Sequence, residues 1–172
     1  MESEEYCAKV SGARLAHERP MYEKIVVPID GSDTAALGLA EAIKLAKDRA
    51  GRIRLIHVLD VLPALSPPVG AAGADVVIAQ MRAGGESILK DAETTTRNAG
   101  VQVESKLIEE TGGQAGEHIL QEATSWPADL IVCGTHGRRG IRRLVLGSDA
   151  EYIVRRSPVP VLLVPSRQTA VP

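Results

Sequence analysis

The sequence predicts an α/β protein of one domain, with an open parallel sheet of five strands and helices on both faces. Strand-like segments alternate with segments of helical spacing in the order βαβαβαβαβ, which is typical of a parallel sheet with right-handed crossovers. Most strand segments are continuous in Val, Ile and Leu, as expected of strands buried on both sides. The length of 172 residues suits one domain with an ordinary core.

Composition and charge exclude several classes of partner. The 20 basic and 22 acidic side chains leave a net charge of −2, so no general field attracts nucleic acid or anionic lipid. With no Phe, one Trp and three Tyr, the chain lacks the aromatic platforms of single-strand binders. No apolar run approaches the roughly 20 residues of a membrane span. We therefore expect no membrane partner and any anion site must be local, while binding of nucleic acid by the arginines at 138–143 stays a minor alternative.

The cysteines and the first residues bear on the compartment. Cys7 lies in a polar segment, whereas Cys133 lies inside an apolar strand segment, so no disulfide between them is expected. The chain opens on an acidic stretch, unlike the basic start of a signal peptide. These features predict a reducing, cytoplasmic location.

The first strand and helix are well marked. Residues 24–29 are almost all apolar, but Pro28 cannot donate to a ladder, so regular pairing should end near it. Asp30 then turns out of the sheet and Ser32 is a good N-cap. Apolar residues at helical spacing follow as far as Gly51, which is expected to stop the helix.

The middle of the chain predicts a long loop, a helix and an edge strand. After a second strand at 53–59, residues 60–73 are rich in proline and glycine and predict a flexible flap over the carboxyl edge of the sheet. The helical pattern from 75 to about 98 is interrupted at Gly84–Gly85, where we expect a bend or weak point. Residues 101–109 alternate apolar and polar side chains, which indicates an edge strand.

A glycine-rich loop near the end of the chain predicts an anion site. It follows a third helix and a buried strand at 129–133, and it leads into the last helix at Ser148. Glycines let the backbone approach a ligand closely, and the N–H groups and dipole of a helix N-terminus favour negative charge. A phosphate is therefore expected on this loop, whose flanks and interior include Gly134, Gly137 and Gly147.

The ends of the chain complete the predicted organisation. A last strand covers residues 159–164, after a helix with acidic residues in its first turn and arginines in its last. Residues 1–20 lack periodicity and predict a flexible N-terminal extension, and residues 166–172 a C-terminal tail. The domain itself is expected to cover residues 21–165.

Asp30 is the candidate counterpart of the glycine loop. It ends the first strand as Gly134 ends the fourth, and open parallel sheets bind ligands outside the carboxyl ends of their strands, where the strand order reverses. If these two strands are neighbours, the carboxylate and the loop face one another as in a nucleotide site, with the sugar on Asp30 and the phosphates on the loop. The alternative is that Asp30 only caps the next helix together with Ser32.

Other polar side chains near the loop are less specific. Arg138 is the best candidate for a bidentate phosphate contact, and His136 could donate to a phosphate or form part of the surface. His57 and Cys133 lie in apolar strands without metal-ligand spacing and are interpreted as core residues. A solvated surface is the alternative for every arginine of the cluster, Arg138, Arg139, Arg142 and Arg143.

Three motifs in this order resemble the universal stress protein family. Two are the strand and turn at 24–32 and the segment at 157–164. The third is similar to the ATP-binding signature of the family, in which nine residues separate two pairs, here Gly134 and Gly137, then Gly147 and Ser148. The resemblance covers residues 21–165 and implies a Rossmann-like sheet in the strand order 3-2-1-4-5.

The resemblance also implies a ligand and its contacts. The cofactor would be ATP, with Mg²⁺ or Mn²⁺ held by the phosphates. Asp30 would bind ribose hydroxyls, Pro28 and Ile29 would line the adenine, and Val58 would offer backbone groups to the base. The phosphates would lie on the residues of the signature, Gly134, Gly137, Gly147 and Ser148.

Asp149 stands directly after the serine of the signature. It would repel a triphosphate if its carboxylate pointed inward, whereas a capping role pointing away suits an acid in a first helical turn. Both orientations remain open at this point.

The implied function is that of an ATP-binding regulator in the stress response. Members commonly dimerise through the last strand, so residues 159–164 are the expected seam, and an unidentified regulatory protein is the expected partner. An ATPase or nucleotidyl-transferring enzyme of related fold, and a dimeric scaffold without nucleotide, are the alternatives. Because the loop lacks the lysine and Ser/Thr pair of a Walker motif, any hydrolysis should be slow, and no catalytic residue is assigned.

Overall fold

A five-stranded, all-parallel sheet forms the centre of the molecule, in the order β3-β2-β1-β4-β5. The computed structural model describes residues 22–65, 71–135 and 146–165. The predicted fold class and strand order are confirmed. In chain order the strands are β1 (Lys24–Pro28), β2 (Arg52–Asp60), β3 (Gln102–Glu110), β4 (Leu130–Gly134) and β5 (Val161–Val164).

Helices cover both faces of the sheet. Buried side chains of α1 and α2 pack on one face, and those of α3 and α4 pack on the other. Each large aliphatic side chain buried there contributes roughly 1.5–3 kcal/mol. Among the described residues the helices are α1 (Asp33–Lys47), α2 (Ala71–Asn98), α3 (Ala115–Ser125) and α4 (Ser148–Arg156), with a 3₁₀ turn at Leu62–Leu65.

Helix α1 begins as predicted but ends differently. Ser32 is its N-cap, and the Ser32 Oγ accepts a hydrogen bond from the Ala35 N–H at 3.2 Å. The helix ends at Lys47, and Ala50 rather than Gly51 takes a positive φ, of 52°. Gly51 instead permits close packing, because a Cβ there would lie 3.1 Å from the carbonyl oxygen of Glu23.

Helix α2 starts earlier than predicted. It begins at Ala71, inside the segment predicted as a flap, and the 3₁₀ turn also lies in that segment. The helix is continuous through Gly84–Gly85, and the bend or weak point expected there stays a prediction. Glycine at position 85 permits close packing, since a Cβ on Gly85 would lie 2.9 Å from both the His57 Cδ2 and the Leu107 Cδ1.

The two edges of the sheet have different characters. Strand β3 is an edge strand, as its alternation predicted, and most of its residues are exposed or half-buried. Strand β5 forms the other edge and is short, beginning at Val161 rather than at 159. Leu162 in β5 is 38% exposed.

Several predicted features lie outside the described residues. These are the extension at 1–20, the tail at 166–172, residues 66–70 of the flap and the interior of the glycine loop. In the part of the chain that is described, no helix has the length and apolarity needed to cross a membrane.

Candidate functional site

The carboxyl ends of β1 and β4 meet at the centre of one edge of the sheet. The two strands pair in parallel, with Val26 opposite Ile131. From β1 the sheet continues through β2 to β3, and from β4 it continues to β5 in the opposite direction. The reversal of strand order therefore falls between β1 and β4, which is where sheets of this kind form ligand sites. Asp30 and Gly134 both lie at this position.

Gly134 brings the first turn of α1 against the end of β4. A Cβ on Gly134 would lie 2.9 Å from the backbone carbon and oxygen of Thr34, closer than packed atoms allow. Gly38, in the next turn of α1, also lies over β4, because a Cβ there would lie 3.5 Å from the Gly134 nitrogen. A packing constraint thus accounts for glycine at position 134, in addition to any contact with a ligand.

The carboxylate of Asp30 is bound to the turn that leads into α1. Its Oδ1 accepts hydrogen bonds from the Ser32 N–H at 2.9 Å and from the Ser32 Oγ at 2.6 Å. Gly31 makes this turn with a φ of 82°, which favours glycine. The Oγ1 of Thr34 lies 3.1 Å from the Ser32 Oγ. Asp30 therefore does engage Ser32, as the capping alternative required, and this contact also orients the carboxylate.

The N-terminus of α4 follows the glycine loop, and its N-cap residue provides no side-chain cap. Its N-cap is Gly147, with φ −61° and ψ 148°. The Gly147 N–H donates to the Thr135 carbonyl at 2.9 Å, so the two ends of the loop are joined beside the end of β4. The first-turn N–H groups of α4, including that of Ser148, begin at this point.

Asp149 in α4 is engaged with a different helix. Its Oδ1 accepts a hydrogen bond from the Gly116 N–H, in the first turn of α3, at 3.2 Å. Gln114, the N-cap of α3, makes no side-chain cap bond of its own. The helices approach closely here, because a Cβ on Gly116 would lie 3.2 Å from the Asp149 carbonyl oxygen. Asp149 therefore supplies a cap to α3.

The predicted adenine-lining residues lie between β1 and β2. The Ile29 N–H donates to the Ile56 carbonyl at 2.8 Å, and the Ile29 carbonyl lies 2.6 Å from the Nδ1 of His57. His57 is 2% exposed, so it is a hydrogen-bonded core residue, as predicted. Pro28 is the last residue of β1, opposite Ile56. Since backbone groups alternate sides along a strand, those of Val58 face the β1 side, as those of Ile56 do.

The structure brings together most of the predicted site residues that it describes. Pro28, Ile29 and Asp30 lie at or just after the end of β1, and Gly134 ends the neighbouring strand β4, which precedes Gly147 and Ser148 in the chain. Val58 lies on β2, beyond the last residue that pairs with β1. The remaining predicted contacts, His136, Gly137 and Arg138, lie outside the described residues.

Sequence reasoning missed two contacts around this site and left a third open. It missed the Thr34 hydroxyl beside Ser32 and the Gly116 amide that holds Asp149. The bond between Asp30 and Ser32 belonged to one of two alternatives, and it has a local signal, because an Asp two residues before a Ser is typical of an Asx turn. The Gly116 contact joins residues far apart in sequence, so no local pattern could have indicated it.

Cys133, near the end of β4, is a buried thiol and does not suit the role of a nucleophile. Burial raises the pKa of the Cys133 thiol to about 11, so the thiol is neutral at physiological pH. Among the residues with described positions, no group of three or more His, Cys, Asp and Glu side chains could hold a metal ion. What the described geometry offers a ligand is backbone amides, a helix N-terminus and the oriented carboxylate of Asp30.

The strand order and the position of the reversal define an open, Rossmann-like α/β protein. The family model described as the universal stress protein family matches residues 21–165. The chain belongs to this family, and the resemblance seen in its motifs is confirmed.

Relatives and solved structures agree with this assignment. A universal stress protein of Methanocaldococcus jannaschii is 34% identical over 145 residues, which is 84% of this chain and 82% of the relative. A universal stress protein from Lactobacillus plantarum has a similar fold, with a TM-score of 0.72 at 21% identity over 83% of this chain and 97% of the other. One from Archaeoglobus fulgidus, in complex with dAMP, has a TM-score of 0.58 at 24% identity, over 84% and 98% of the two chains.

Proposed function

We propose that this protein is a cytoplasmic, homodimeric regulator of the stress response that binds ATP between the carboxyl ends of β1 and β4. It acts on a protein partner through its nucleotide-bound state and hydrolyses ATP slowly at most. The two described carboxylates near the reversal of strand order fit structural roles better than that of a catalytic base. Asp30 is hydrogen-bonded to Ser32, and Asp149 caps α3.

The N-terminus of α4 is the observation that carries this proposal. A φ of −61° at Gly147 is open to any residue, and Ser, Asp or Asn would cap the helix better than Gly. A glycine there leaves the first-turn N–H groups to an external acceptor and lets that acceptor approach the backbone. A phosphate group fits this requirement, since its oxygens accept several N–H bonds and carry the charge that the helix dipole favours.

The other side of the reversal suits a nucleoside. Asp30 is held by two hydrogen bonds beside the end of β1, where a carboxylate can accept from ribose hydroxyls. The backbone of Val58 faces the same side, where an adenine could be recognised through N–H and C=O groups. Pro28 and Ile29 would supply apolar contact to the base. The distance from Asp30 to the α4 N-terminus would be spanned by the sugar and phosphates.

The choice of ATP rests on the family and on the glycine signature. The Archaeoglobus fulgidus relative was solved with dAMP, which supports an adenine nucleotide as the ligand class here. Gly137, Arg138 and His136 of the signature would extend the phosphate contacts beyond the α4 N-terminus. Mg²⁺ or Mn²⁺ would arrive with the nucleotide, held by the phosphates.

Strand β5 is the proposed dimer seam. It is an edge strand, so one side of its ladder is open to a second strand. Leu162 of β5 is 38% exposed and Val154 of the neighbouring helix α4 is 46% exposed. A second copy of residues 159–164 would cover this apolar edge. The free, buried thiol of Cys133 agrees with a reducing compartment.

Native mass spectrometry of freshly purified protein tests the ligand and the dimer together. We expect a dimer mass with copurified ATP or AMP. Calorimetry with ATP should then give a Kd for the wild type that rises at least about tenfold in Gly137→Val, a loss of about 1.4 kcal/mol. Gly84→Ala, on the exposed side of α2, is the control and should bind as the wild type does. A wild type that binds no adenine nucleotide would refute the proposal, and unchanged affinity in Gly137→Val would refute the loop assignment.

A further inference from the structure

We propose that Ser32 is a positioning residue for ribose recognition, because its hydroxyl and amide fix the rotamer of Asp30 and thereby set the preference for ribonucleotides. This inference rests on the proposed function, in which Asp30 accepts from the ribose hydroxyls. It assigns Ser32 a role beyond capping α1, and it makes Thr34 the residue that supports Ser32.

The direction of the hydrogen bonds supports this assignment. An ionised carboxylate can only accept, so the single hydroxyl proton of Ser32 is donated to the Asp30 Oδ1 at 2.6 Å. The Ser32 Oγ must then accept in its other contacts, from the Ala35 N–H at 3.2 Å and from the Thr34 hydroxyl at 3.1 Å. In this series of hydrogen bonds, the Thr34 hydroxyl thus donates to Ser32 and the Ser32 hydroxyl donates to Asp30. Hydrogen bonds to an ionised group are stronger than neutral ones, so the carboxylate is firmly held.

Thr34 anchors the other end of the chain of hydroxyls. It is 7% exposed, and its backbone lies against Gly134 at the end of β4. The same contact positions the start of the glycine loop. Ser32 and Thr34 thus connect Asp30, which would bind the ribose, to the end of β4, where the proposed phosphate-binding loop begins.

A fixed rotamer matters because hydrogen bonds weaken steeply with angle and distance. A carboxylate that changes rotamer can accept hydrogen bonds from the two ribose hydroxyls in only some of its rotamers, and this weakens ribose binding. Removal of the Ser32 hydroxyl should therefore reduce the discrimination between a ribonucleotide and an analogue without hydroxyls, while contacts to base and phosphates stay in place.

Calorimetry with ATP and with 2′,3′-dideoxy-ATP tests this inference, and the ratio of the two affinities is the readout. The wild type should prefer ATP by about tenfold or more, as expected for hydrogen bonds to a charged group. Ser32→Ala should reduce the ratio several-fold, towards that of Asp30→Ala, and Thr34→Val should reduce it less. Ser32→Thr, which keeps the hydroxyl, should retain it. Ser125→Ala is the matched control, because the Ser125 hydroxyl donates to the Glu122 carbonyl of its own helix α3.

Each other outcome has a distinct meaning. If Ser32→Ala weakens both nucleotides equally, its effect comes from the lost helix cap and the inference is wrong. An unchanged ratio in Ser32→Ala also contradicts it. If that variant does not fold, Ser32→Gly provides the same readout, because glycine is a tolerable N-cap without a hydroxyl. A wild type that binds neither nucleotide contradicts the proposed function itself, whereas a wild type that binds both equally contradicts only the ribose contact.

Discussion

The N-termini of α1 and α4 both adjoin the end of β4, but the chain finishes them in different ways. At α1, Ser32 accepts from the Ala35 N–H and is itself bonded to Asp30. At α4, the N-cap is Gly147, which has no side chain to offer. The N-cap residue of α1 thus bonds a first-turn N–H of its own helix, whereas the N-cap residue of α4 provides no side-chain bond. In the proposed function, a phosphate takes that place at α4.

The two termini thus differ in how they meet the same edge of the sheet. The N-terminus of α1 is packed closely against β4 through Thr34 and Gly134, so it forms a fixed side of the proposed site. The N-terminus of α3 is also satisfied from within the protein, because Asp149 of α4 accepts a hydrogen bond from the Gly116 N–H. The Asp149 Oδ1 is therefore directed to α3.

The largest expected effect is on the free energy of unfolding, at the contact between α1 and β4. Gly134→Ala places a methyl group 2.9 Å from the Thr34 backbone, and strain of this kind destabilises by about 1–3 kcal/mol. Gly84→Ala is the matched control, because nothing lies within 4 Å of a Cβ at this helical position, and it should stabilise by about 0.5–1 kcal/mol. Urea unfolding measures both. Equal effects of the two substitutions would show that α1 is not pinned at Gly134.

A smaller effect is expected from the cap that α4 lends to α3. Asp149→Ala removes the acceptor of the Gly116 N–H and should cost about 1 kcal/mol of unfolding free energy. Asp149→Asn keeps an acceptor oxygen and should cost less. The control is Glu151→Ala, an exposed residue whose ion pair with Arg155 is 2.8 Å long and contributes about 0.3–0.5 kcal/mol.

The same Asp149 variants also test where the carboxylate points. If it is held by Gly116, the affinity of Asp149→Asn for ATP should equal that of the wild type. A large gain in ATP affinity in Asp149→Asn would mean that the Asp149 carboxylate faces the phosphates and not the Gly116 N–H.

The smallest effect on stability is expected at the N-terminus of α4. Gly147→Ser adds a side-chain cap to α4 and should stabilise the nucleotide-free protein by a few tenths of a kcal/mol. It should also weaken ATP binding, because the new hydroxyl competes for the same N–H groups. Thermal melts with and without ATP measure both effects. Gly84→Ala, at a position of α2 with nothing within 4 Å of a Cβ, is the control and should leave ATP binding unchanged. Stronger binding in Gly147→Ser would overturn the comparison between the two helix ends.

The order of elements and the cap of α1 were predictable because their signals are local. Continuous Val and Ile runs, helical spacing and a serine before a helix each act within a few residues. The same is true of β3, whose alternation correctly placed it at an edge. Sequence reasoning could not show where glycines serve contacts between elements, as at Gly85, where a close approach to His57 accounts for the glycine.

Local patterns in the sequence were enough to predict a parallel α/β protein with a glycine loop before α4 and a carboxylate after β1. The packing role of Gly134 and the cap that Asp149 gives to α3 are visible only in the folded molecule. Periodicity and helix capping act along the chain. Close approach and hydrogen-bond direction depend instead on which elements the sheet brings side by side.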